Sequence, residues 1–191
     1  MNSMYPNPTM TQKSRGKSAT PATPVTPVTP ATPAAPARNG TPAAGRRIQV
    51  RKSGVHGKGV FALLPLAKGE MLIEYTGETI AWPEALERHP HDPSDPHHTF
   101  YFSVDDDHVI DAKVGGNASR WINHACKPNC EADQDGSRVF IKTLRAIAPG
   151  EELFYDYGLV IDERYTPKLK QQYGCRCGTR NCRGTMLAKK R

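Results

Sequence analysis

From position 48 onward, apolar residues occur in short runs that alternate with polar residues and end at glycine, proline or clustered charges. Such runs are typical of β-strands, in which successive side chains point to opposite faces. The pattern predicts strands over 48–51, 60–64, 71–75, 99–104, 108–111, 139–144 and 152–155. Helical signals are limited to two segments, 83–89 and 166–172. The first has a proline at its first position and another directly after its end. We therefore expect a mostly β fold with few short helices.

Two segments repeat one turn pattern. Residues 66–72 read Leu-Ala-Lys-Gly-Glu-Met-Leu, and residues 147–153 read Ile-Ala-Pro-Gly-Glu-Glu-Leu. Each pattern places Gly-Glu in a turn that leads into an apolar strand, and glycine suits a turn with positive φ. The repeated turns support a fold of short strands.

The first 45 residues have a different composition. Prolines occupy every third position from 21 to 36, mostly after threonine, which matches the three residues per turn of a polyproline II helix. A segment of this kind cannot build a core. We interpret 1–45 as a disordered Thr/Pro/Ala-rich basic tail that acts as a solvated spacer, with a docking site for a proline-binding partner as the alternative.

The formal net charge of +7 is unevenly distributed along the chain. Residues 1–45 contain Lys13, Arg15, Lys17 and Arg38 and no Asp or Glu, which leaves +3 for the remainder. That remainder mixes both signs, whereas a nucleic-acid-binding protein concentrates Lys and Arg on one face. Direct nucleic-acid binding is therefore not indicated.

The chain has no pattern that indicates a membrane or a secretory route. No apolar run approaches the roughly 18 residues of a membrane span, and the N-terminus lacks the apolar stretch of a secretory signal. We expect a soluble protein that is intracellular at synthesis, in a reducing compartment.

Three of the five cysteines form a C-x-C-x4-C motif at 175, 177 and 182. Such close thiols in a reduced protein are typical of structural zinc, which takes four tetrahedral ligands. The fourth ligand must come from elsewhere, and Cys126, Cys130 and His124 are the candidates. Because a closed four-ligand site is structural, zinc would hold the C-terminal segment in place and chemistry must come from other residues.

Three further segments contain residues suited to chemistry. Residues 120–130 read Arg-Trp-Ile-Asn-His-Ala-Cys-Lys-Pro-Asn-Cys, in which Asn123 and His124 are the foremost candidates. The alternative is a turn-capping Asn and a packed His. In 151–157, Tyr155 and Tyr157 share one face of the predicted strand. Residues 54–61 form a glycine-rich turn that lets a ligand approach the backbone, although it fits neither common nucleotide-binding glycine motif.

Two loops contain clustered metal-ligand types. Residues 82–98 hold four histidines and two aspartates among prolines, and a solvated loop is preferred to a metal site because the spacing is irregular. The three aspartates at 105–107 predict a hairpin turn and not a calcium loop.

Six motifs in order resemble the SET-domain family of protein-lysine methyltransferases with its post-SET zinc tail. They are His-Gly-Lys-Gly-Val-Phe at 56–61, Glu-Tyr-Thr-Gly-Glu at 74–78, Tyr101, Gly-Asn-Ala-Ser-Arg-Trp-Ile-Asn-His-Ala-Cys at 116–126, Glu-Glu-Leu-Phe-Tyr-Asp-Tyr at 151–157, and C-x-C-x4-C. The wording is nearest to the trithorax-like group, in a minimal form. The resemblance implies a SET domain over 46–160 and a post-SET zinc-binding segment over 161–191.

The resemblance also implies a fold and a methyl donor. The fold has several small curved sheets, in which the Asn-His-Ala-Cys segment and the C-terminal strand form a knot-like crossing. The donor is S-adenosylmethionine. The residues that match donor-contacting positions are His56, Gly57, Lys58, Gly59, Tyr101, Arg120, Asn123, His124 and Tyr157. Cys126 matches the fourth zinc ligand beside Cys175, Cys177 and Cys182, which leaves Cys130 as an ordinary thiol.

By the same resemblance, Tyr157 is the catalytic tyrosine, and Tyr101 and Tyr155 line the channel with it. Tyr155 occupies the position at which the family varies between Tyr and Phe, and Tyr there resembles mono- or dimethylating enzymes. The attacking lysine must be neutral, which is rare at neutral pH because free lysine has a pKa of about 10.4. A narrow apolar channel beside the sulfonium favours proton loss, so desolvation and alignment supply most of the catalysis.

The implied substrate is a lysine-bearing basic protein such as a histone or a bacterial histone-like protein. A bacterial source would place the protein in the cytoplasm or, after export, in a host nucleus, and another source would place it in the nucleus on chromosomes. Two other classes remain open. A non-catalytic SET-like protein-binding module would lack donor binding, and a zinc-stabilised nucleic-acid-binding protein would show salt-dependent DNA retention.

Overall fold

The computed structural model describes the backbone of Thr11–Gln12 and residues 46–89 and 99–189. Apart from those two positions, the predicted tail over 1–45 lies outside the described residues, and so does the 90–98 part of the predicted histidine-rich loop. Among the described helices, none is long and apolar enough to cross a membrane.

Short strands make up most of the regular structure in the described residues. The strands are β1 (Thr11–Gln12), β2 (Ile48–Lys52), β3 (Lys58–Ala62), β4 (Met71–Glu74), β5 (Glu78–Ala81), β6 (Tyr101–Ser103), β7 (His108–Asp111), β8 (Asn123–His124), β9 (Cys130–Asp135), β10 (Arg138–Thr143), β11 (Phe154–Tyr155) and β12 (Leu159–Val160). The helices are α1 (Trp82–Arg88) and α2 (Pro167–Gln172), with one 3₁₀ helix, η1 (Ala118–Trp121). The predicted mostly β fold with few short helices is confirmed.

The strands pair into several small sheets. Strand β10 lies between β4 and β9, and β7 lies between β5 and β6, so that two three-stranded antiparallel sheets form. Strand β2 pairs with β3, and β1 pairs with β12, both antiparallel. Strands β8 and β11 form a parallel pair. This arrangement of small sheets is the one that the sequence resemblance implies.

Two apolar clusters form the core, and Tyr157 lies where they meet. The first contains fully buried side chains such as Val60, Ile141 and Leu153. The second contains the fully buried Ile161. Tyr157 is partly buried and packs against both clusters. Burial of apolar surface therefore fixes the chain around Tyr157 from two sides.

The two turns with the repeated Gly-Glu pattern lie side by side. Leu66 and Ile147 form an antiparallel bridge, with both N–H to O distances at 3.0 Å. Gly69 has a φ of 78° and Gly150 a φ of 83°, a conformation that residues with a Cβ rarely adopt. The predicted positive-φ turns are confirmed, and the bridge joins them.

A tight turn connects β6 to β7. The Val104 N–H donates to the His108 carbonyl at 3.0 Å. The Asp105 carboxylate accepts from the N–H groups of Asp107 and His108, at 2.8 and 2.7 Å. These bonds confirm the hairpin turn predicted at 105–107.

The apolar pattern does not predict six of the described elements: β1, β5, β8, β9, β12 and η1. Strand β9 reads Cys-Glu-Ala-Asp-Gln-Asp and lacks the alternation of a half-buried strand, yet all six positions pair with β10. Strands β8 and β12 have two residues each, which is too short for a periodic signal. Pairing with a neighbouring strand, and not intrinsic side-chain preference, forms these strands. The 3₁₀ helix η1 begins at Asn117, whose side chain accepts from the Ser119 N–H.

Candidate active site and metal centre

The parallel pair β8–β11 forms the centre of the candidate site. Asn123 is aligned with Phe154, and His124 with Tyr155. The Ala125 N–H donates to the Tyr155 carbonyl at 3.2 Å. The Asn-His-Ala-Cys segment thus lies directly against the tyrosine strand, which is the contact on which the predicted knot-like crossing depends.

The side-chain amide of Asn123 links three segments of the chain. Its Nδ2 donates to the carbonyls of His56 and Lys58, at 3.3 and 2.8 Å, and to Glu152 Oε1 at 3.0 Å. Ser53 Oγ donates to the same carboxylate oxygen at 2.8 Å. Asn123 and Glu152 therefore fix the glycine-rich turn next to β11. Glu152 is absent from the predicted site, although its place in the Glu-Glu-Leu-Phe-Tyr motif is a signal that could have identified it.

Two glycines shape the turn that Asn123 holds. Gly57 has a φ of 45°, and its carbonyl accepts from the Ser53 N–H at 3.0 Å. A Cβ on Gly57 would meet no atom within 4 Å, whereas a Cβ on Gly59 would lie 2.1 Å from Glu152 Oε1. The turn therefore faces open space at Gly57, where a ligand can approach the backbone, and touches the Glu152 carboxylate at Gly59.

Two residues predicted to contact the donor lie against the Trp121 ring. Lys58 Nζ is 4.5 Å from the ring centroid, and the guanidinium carbon of Arg120 is 4.9 Å from it. Arg120 also donates to the Ala112 carbonyl at 2.9 Å. Cation–π attraction to one indole ring thus holds both positive charges beside the glycine-rich turn. Trp121 is a further site residue that the prediction does not include.

His124 is buried and contacts both the tyrosine strand and a cysteine. Its Nδ1 accepts from the Tyr157 N–H at 3.1 Å, and its Nε2 lies 3.4 Å from Cys126 Sγ. Because Nδ1 is an acceptor, the neutral ring carries its proton on Nε2, which donates to the sulfur. Burial lowers the pKa of His124 to about 4, while the nearby Asp156 acts in the opposite direction. The ring is therefore neutral at pH 7.

Tyr155 and Tyr157 lie together, with ring centroids 4.9 Å apart. The Tyr157 hydroxyl donates to the Ile122 carbonyl at 2.9 Å. Tyr101 lies on β6, and its hydroxyl donates to the Ala85 carbonyl of α1 at 3.0 Å. Burial raises the pKa of Tyr157, and it raises the pKa of Tyr101 to about 12. Both hydroxyls are therefore protonated at neutral pH and able to donate hydrogen bonds.

Four cysteine thiols converge from two parts of the chain. The Sγ atoms that lie within 4.8 Å of one another are those of Cys126, Cys175, Cys177 and Cys182. Cys126 Sγ is 3.6 Å from Cys175 Sγ and 3.8 Å from Cys182 Sγ. Zinc–sulfur bonds of about 2.3 Å in a tetrahedron place sulfurs about 3.8 Å apart. The four thiols therefore have the chemistry and spacing of a zinc-thiolate site.

The surroundings of the cysteines also suit a metal centre. The Arg183 N–H donates to Cys126 Sγ and the Gly184 N–H to Cys182 Sγ, both at 3.3 Å. Such bonds orient metal ligands and stabilise thiolate charge. Cys130 is fully buried and separate from the four-thiol group, and burial raises its pKa to about 12. These positions agree with its description as an ordinary thiol.

An ion pair that the prediction does not include joins the tyrosine strand to the cysteine loop. Arg183 donates to both carboxylate oxygens of Asp156, at 2.5 and 2.8 Å, and bidentate pairs of this kind fix geometry as well as charge. Although burial acts to raise the pKa of Asp156, the Arg183 hydrogen bonds hold it below its usual value. Asp156 separates Tyr155 from Tyr157, and Arg183 follows Cys182, so both are adjacent to predicted site residues.

Comparison with known proteins places this site in a family. The family model described as SET domain matches residues 57–158, which is more than half of the chain. The chain belongs to the SET-domain family. The match begins within the glycine-rich turn, includes the parallel pair β8–β11 and Tyr157, and ends before the C-x-C-x4-C motif.

The chain is similar to named relatives over a part of their length. The chain is 37% identical over 140 residues to histone-lysine N-methyltransferase trithorax of Drosophila melanogaster. The aligned region covers 71% of this chain and 4% of that protein. It is 38% identical over 148 residues to histone-lysine N-methyltransferase ATX2 of Arabidopsis thaliana, covering 74% and 13%. It is 35% identical over 146 residues to histone-lysine N-methyltransferase SETD1B of Homo sapiens, covering 74% and 7%. The chain thus spans a small part of the length of these relatives.

Proposed function

We propose that this SET-domain chain is a protein-lysine N-methyltransferase that uses S-adenosylmethionine as methyl donor. The observation that carries the proposal is that the glycine-rich turn, Asn123, His124 and the Tyr155–Tyr157 pair meet at the parallel pair β8–β11 inside a SET domain. The names of the relatives, all histone-lysine N-methyltransferases, support the same reaction.

Donor binding is assigned to the surface around the glycine-rich turn. The residues assigned to it are His56, Gly57, Lys58, Gly59, Tyr101, Arg120, Asn123, His124 and Tyr157. Open space at Gly57 gives the donor access to the backbone, and the Lys58 and Arg120 charges suit its carboxylate. When bound, S-adenosylmethionine supplies a methyl group on a sulfonium cation. Asn123 keeps the turn in place through its bonds to the His56 and Lys58 carbonyls.

The acceptor lysine is assigned to a channel lined by Tyr101, Tyr155 and Tyr157. Aromatic faces attract an alkylammonium group, and the protonated phenolic hydroxyls are able to orient the amine. Desolvation lowers the pKa of the lysine, which releases a proton to water before attack. The amine nitrogen then forms a bond to the methyl carbon as the carbon–sulfur bond breaks. Tyr157 is the catalytic tyrosine of this scheme, and its position is fixed because its hydroxyl donates to the Ile122 carbonyl and its ring packs against His124.

Tyr155 is assigned to the control of methylation number. Its side chain is 3% exposed and lies beside Tyr157. A hydroxyl in so confined a place, with any water it holds, limits the room for an amine that already carries methyl groups. We therefore propose mono- or dimethylation.

The zinc ion is assigned to Cys126, Cys175, Cys177 and Cys182, as a structural ion. Four thiolates complete a tetrahedral shell and leave no position for substrate, so zinc in this site stabilises the fold and takes no part in methyl transfer. Cys126 follows His124 by two residues, so zinc would fix the end of β8 against the C-terminal segment.

The proposed substrate is a lysine on a basic protein, either a histone or a bacterial histone-like protein. The histone-lysine methyltransferase relatives support this class. That substrate implies one of two locations. A bacterial protein would be in the cytoplasm or, after export, in a host nucleus, and a protein from another source would be in the nucleus on chromosomes.

The deciding experiment is transfer of radiolabelled methyl from S-adenosylmethionine to a panel of histones and bacterial basic proteins. We expect label on lysine from the wild type and loss of most label with Tyr157→Phe and with Asn123→Ala. Tyr165→Phe, a tyrosine outside the proposed site, is the matched control and should retain activity. Thermal unfolding of each variant separates misfolding from loss of chemistry.

The alternative outcomes discriminate among the open classes. A folded, zinc-loaded wild type that binds no donor and transfers no methyl would refute the enzyme and favour a protein-binding module. Salt-sensitive retention on DNA without methyl transfer would favour the nucleic-acid-binding class instead.

A further inference from the structure

Positive charge is concentrated in residues 46–69, which contain β2, the glycine-rich turn and β3 and are called the basic hairpin below. These residues include no Asp or Glu. Residues 70–191 contain 16 Lys or Arg and all 19 Asp or Glu of the chain, which gives a net charge of −3. The charge of +3 over residues 46–191 is therefore the sum of a hairpin at +6 and a remainder at −3. The basic residues of the hairpin, all exposed, are Arg46, Arg47, Arg51, Lys52, Lys58 and Lys68.

Most of the charge on the basic hairpin is not neutralised within the described part of the protein. Arg47 pairs with the Glu70 carboxylate. The hairpin residues that form no ion pair with a described residue are Arg46, Arg51, Lys52, Lys58 and Lys68. In the remainder, by contrast, four arginines each bond a carboxylate: Arg88, Arg138, Arg145 and Arg183. The hairpin therefore retains a positive field that can attract an anionic partner.

The strand register places like charges opposite each other in the hairpin. Lys52 of β2 is aligned with Lys58 of β3. Like charges at directly opposite positions destabilise a strand pair. Lys58 Nζ lies 4.5 Å from the centroid of the Trp121 ring, a contact that does not neutralise its charge. A polyanion that lies along the hairpin would reduce the repulsion between the two lysines.

The dimensions of β2 suit a partner with regularly spaced negative charges. Strand β2 (Ile48–Lys52) has an open edge, since β3 is its one partner among the described strands. Four steps at about 3.3 Å give it a length of about 13 Å, and basic residues lie at both ends. Each strand of duplex DNA carries one phosphate charge per about 3.4 Å along the helix axis. The spacing of the basic residues along β2 is therefore compatible with contacts to successive phosphates.

The surface chemistry of the hairpin favours a nucleic acid over a protein partner. Leu64 is the one large apolar side chain that is exposed within residues 46–69. Stable protein–protein interfaces are centred on buried aromatic and apolar anchors, and charged residues are depleted there. Nucleic-acid interfaces are polar and strongly basic. A surface with six basic residues and one exposed apolar side chain belongs to the second kind.

We propose that the basic hairpin binds the phosphate backbone of duplex DNA without base specificity, and so holds the enzyme on the DNA to which its substrate protein is bound. The link to the substrate rests on the proposed function, because histones and histone-like proteins are DNA-bound, whereas the DNA contact does not. Phosphate contacts supply affinity and position and do not read the sequence. The residues assigned to DNA are Arg46, Arg51, Lys52 and Lys68, and Lys58 remains assigned to the donor.

Binding of the full chain to fluorescent duplexes of unrelated sequence, over a range of salt concentrations and without donor, tests the contact. We expect affinity that falls steeply with salt and is equal for all sequences. Arg51→Gln combined with Lys52→Gln should weaken binding and reduce the slope of log affinity against log salt by about 2, since each phosphate contact contributes about 0.9. Lys168→Gln combined with Lys170→Gln removes the same charge from exposed positions of α2 and should leave the slope unchanged.

A second measurement tests the link to the substrate. Methyl transfer is followed with one histone or histone-like protein, offered once free and once bound to DNA. The Arg51→Gln and Lys52→Gln double variant should raise the KM for the DNA-bound protein and leave the KM for the free protein and both kcat values unchanged, because neither residue is assigned to the donor or to the acceptor lysine.

The possible failures are distinguishable from one another. Equal affinity and equal salt slope in the wild type and the Arg51–Lys52 double variant would overturn the DNA contact while methyl transfer stands. Tighter binding to polyglutamate than to the duplexes would also overturn it and assign the hairpin to an acidic protein surface. An unchanged KM for the DNA-bound protein would overturn the link to the substrate. DNA binding that the double variant weakens, in a chain that transfers no methyl group, would support the contact and remove the proposed function.

Discussion

At the scale of single residues, the site depends on small side chains that allow close contacts. The Glu152 carboxylate accepts from both Asn123 and Ser53, and Gly59 leaves room for it. A glycine is needed at 59 because of this contact and not because of its backbone angle, since its φ is outside the positive range. The geometry of the glycine-rich turn is thus linked to a carboxylate 93 positions later in the sequence.

We predict that Gly59→Ala weakens donor binding and methyl transfer. Its Cβ would lie 2.1 Å from Glu152 Oε1, so the carboxylate must move and its bonds to Asn123 and Ser53 must change. Overpacking of this kind typically costs about 1–3 kcal/mol of stability. Calorimetric titration with S-adenosylmethionine and thermal unfolding measure the two effects. Gly54→Ala, in the same turn with no atom within 4 Å of its added Cβ, is the control for folding. Unchanged donor affinity in Gly59→Ala would contradict the assigned role of the turn.

A second prediction at this scale concerns the number of methyl groups. Tyr155→Phe removes one hydroxyl beside Tyr157 and should shift products from mono- and dimethyl-lysine toward trimethyl-lysine, because the channel gains room for a methylated amine. Mass spectrometry of a methylated substrate peptide over time measures the distribution. An unchanged distribution, with Tyr165→Phe as the matched control, would remove Tyr155 from this role.

At the scale of elements, the parallel pair β8–β11 and the cysteine loop act as one unit. His124 connects them, since its two ring nitrogens bond the Tyr157 N–H and Cys126 Sγ. The bidentate Arg183–Asp156 pair adds a second connection. The position of Tyr157 therefore depends on the cysteine loop, although zinc itself is assigned no chemistry.

We predict that loss of zinc disorders the tyrosine channel and stops methyl transfer. Cys177→Ser should reduce bound zinc from one ion per chain toward none, lower the unfolding temperature and abolish activity, because one of four tetrahedral ligands is lost. Elemental analysis measures the zinc content. Cys130→Ala is the matched control: it removes a buried thiol outside the four-thiol group and should keep full zinc content despite some loss of stability. Retention of one zinc ion by Cys177→Ser would contradict the ligand assignment.

The elements also show what sequence can predict in this fold. Motif order identified the family, and the C-x-C-x4-C spacing together with the match at Cys126 selected the four thiols that the structure gathers. Apolar alternation located β2, β4, β7 and β10, because these strands pack a side on the core. It could not locate β9, because the residues of that strand are mainly polar. The roles of Glu152 and Arg183 could not be predicted, because their contacts join positions far apart in sequence and depend on the folded backbone.

At the scale of the whole molecule, Tyr157 lies between two apolar clusters, and the strand that follows it pairs with β1. Tyr157 packs against both clusters, which hold this residue from two sides. Strand β12 begins two residues after Tyr157 and pairs with β1. A substrate strand that uses the same edge must displace β1, so the N-terminal segment should reduce the apparent affinity for other proteins.

We therefore predict that Thr11→Pro with Gln12→Pro lowers the KM for a histone or histone-like substrate and leaves kcat unchanged. Molecules in which β1 covers β12 cannot bind a substrate strand there, so the apparent affinity falls in proportion to the fraction of molecules with a free β12. Weakening the β1 pairing raises that fraction toward one. The chemistry is unaffected because Tyr155, Tyr157 and the glycine-rich turn are not altered. Steady-state kinetics at saturating donor measure both constants, and Ala34→Pro with Ala35→Pro controls for added proline. An unchanged KM would show that β1 does not compete with substrate, and a fall in kcat would show that the N-terminal strand supports the site instead of occupying its edge.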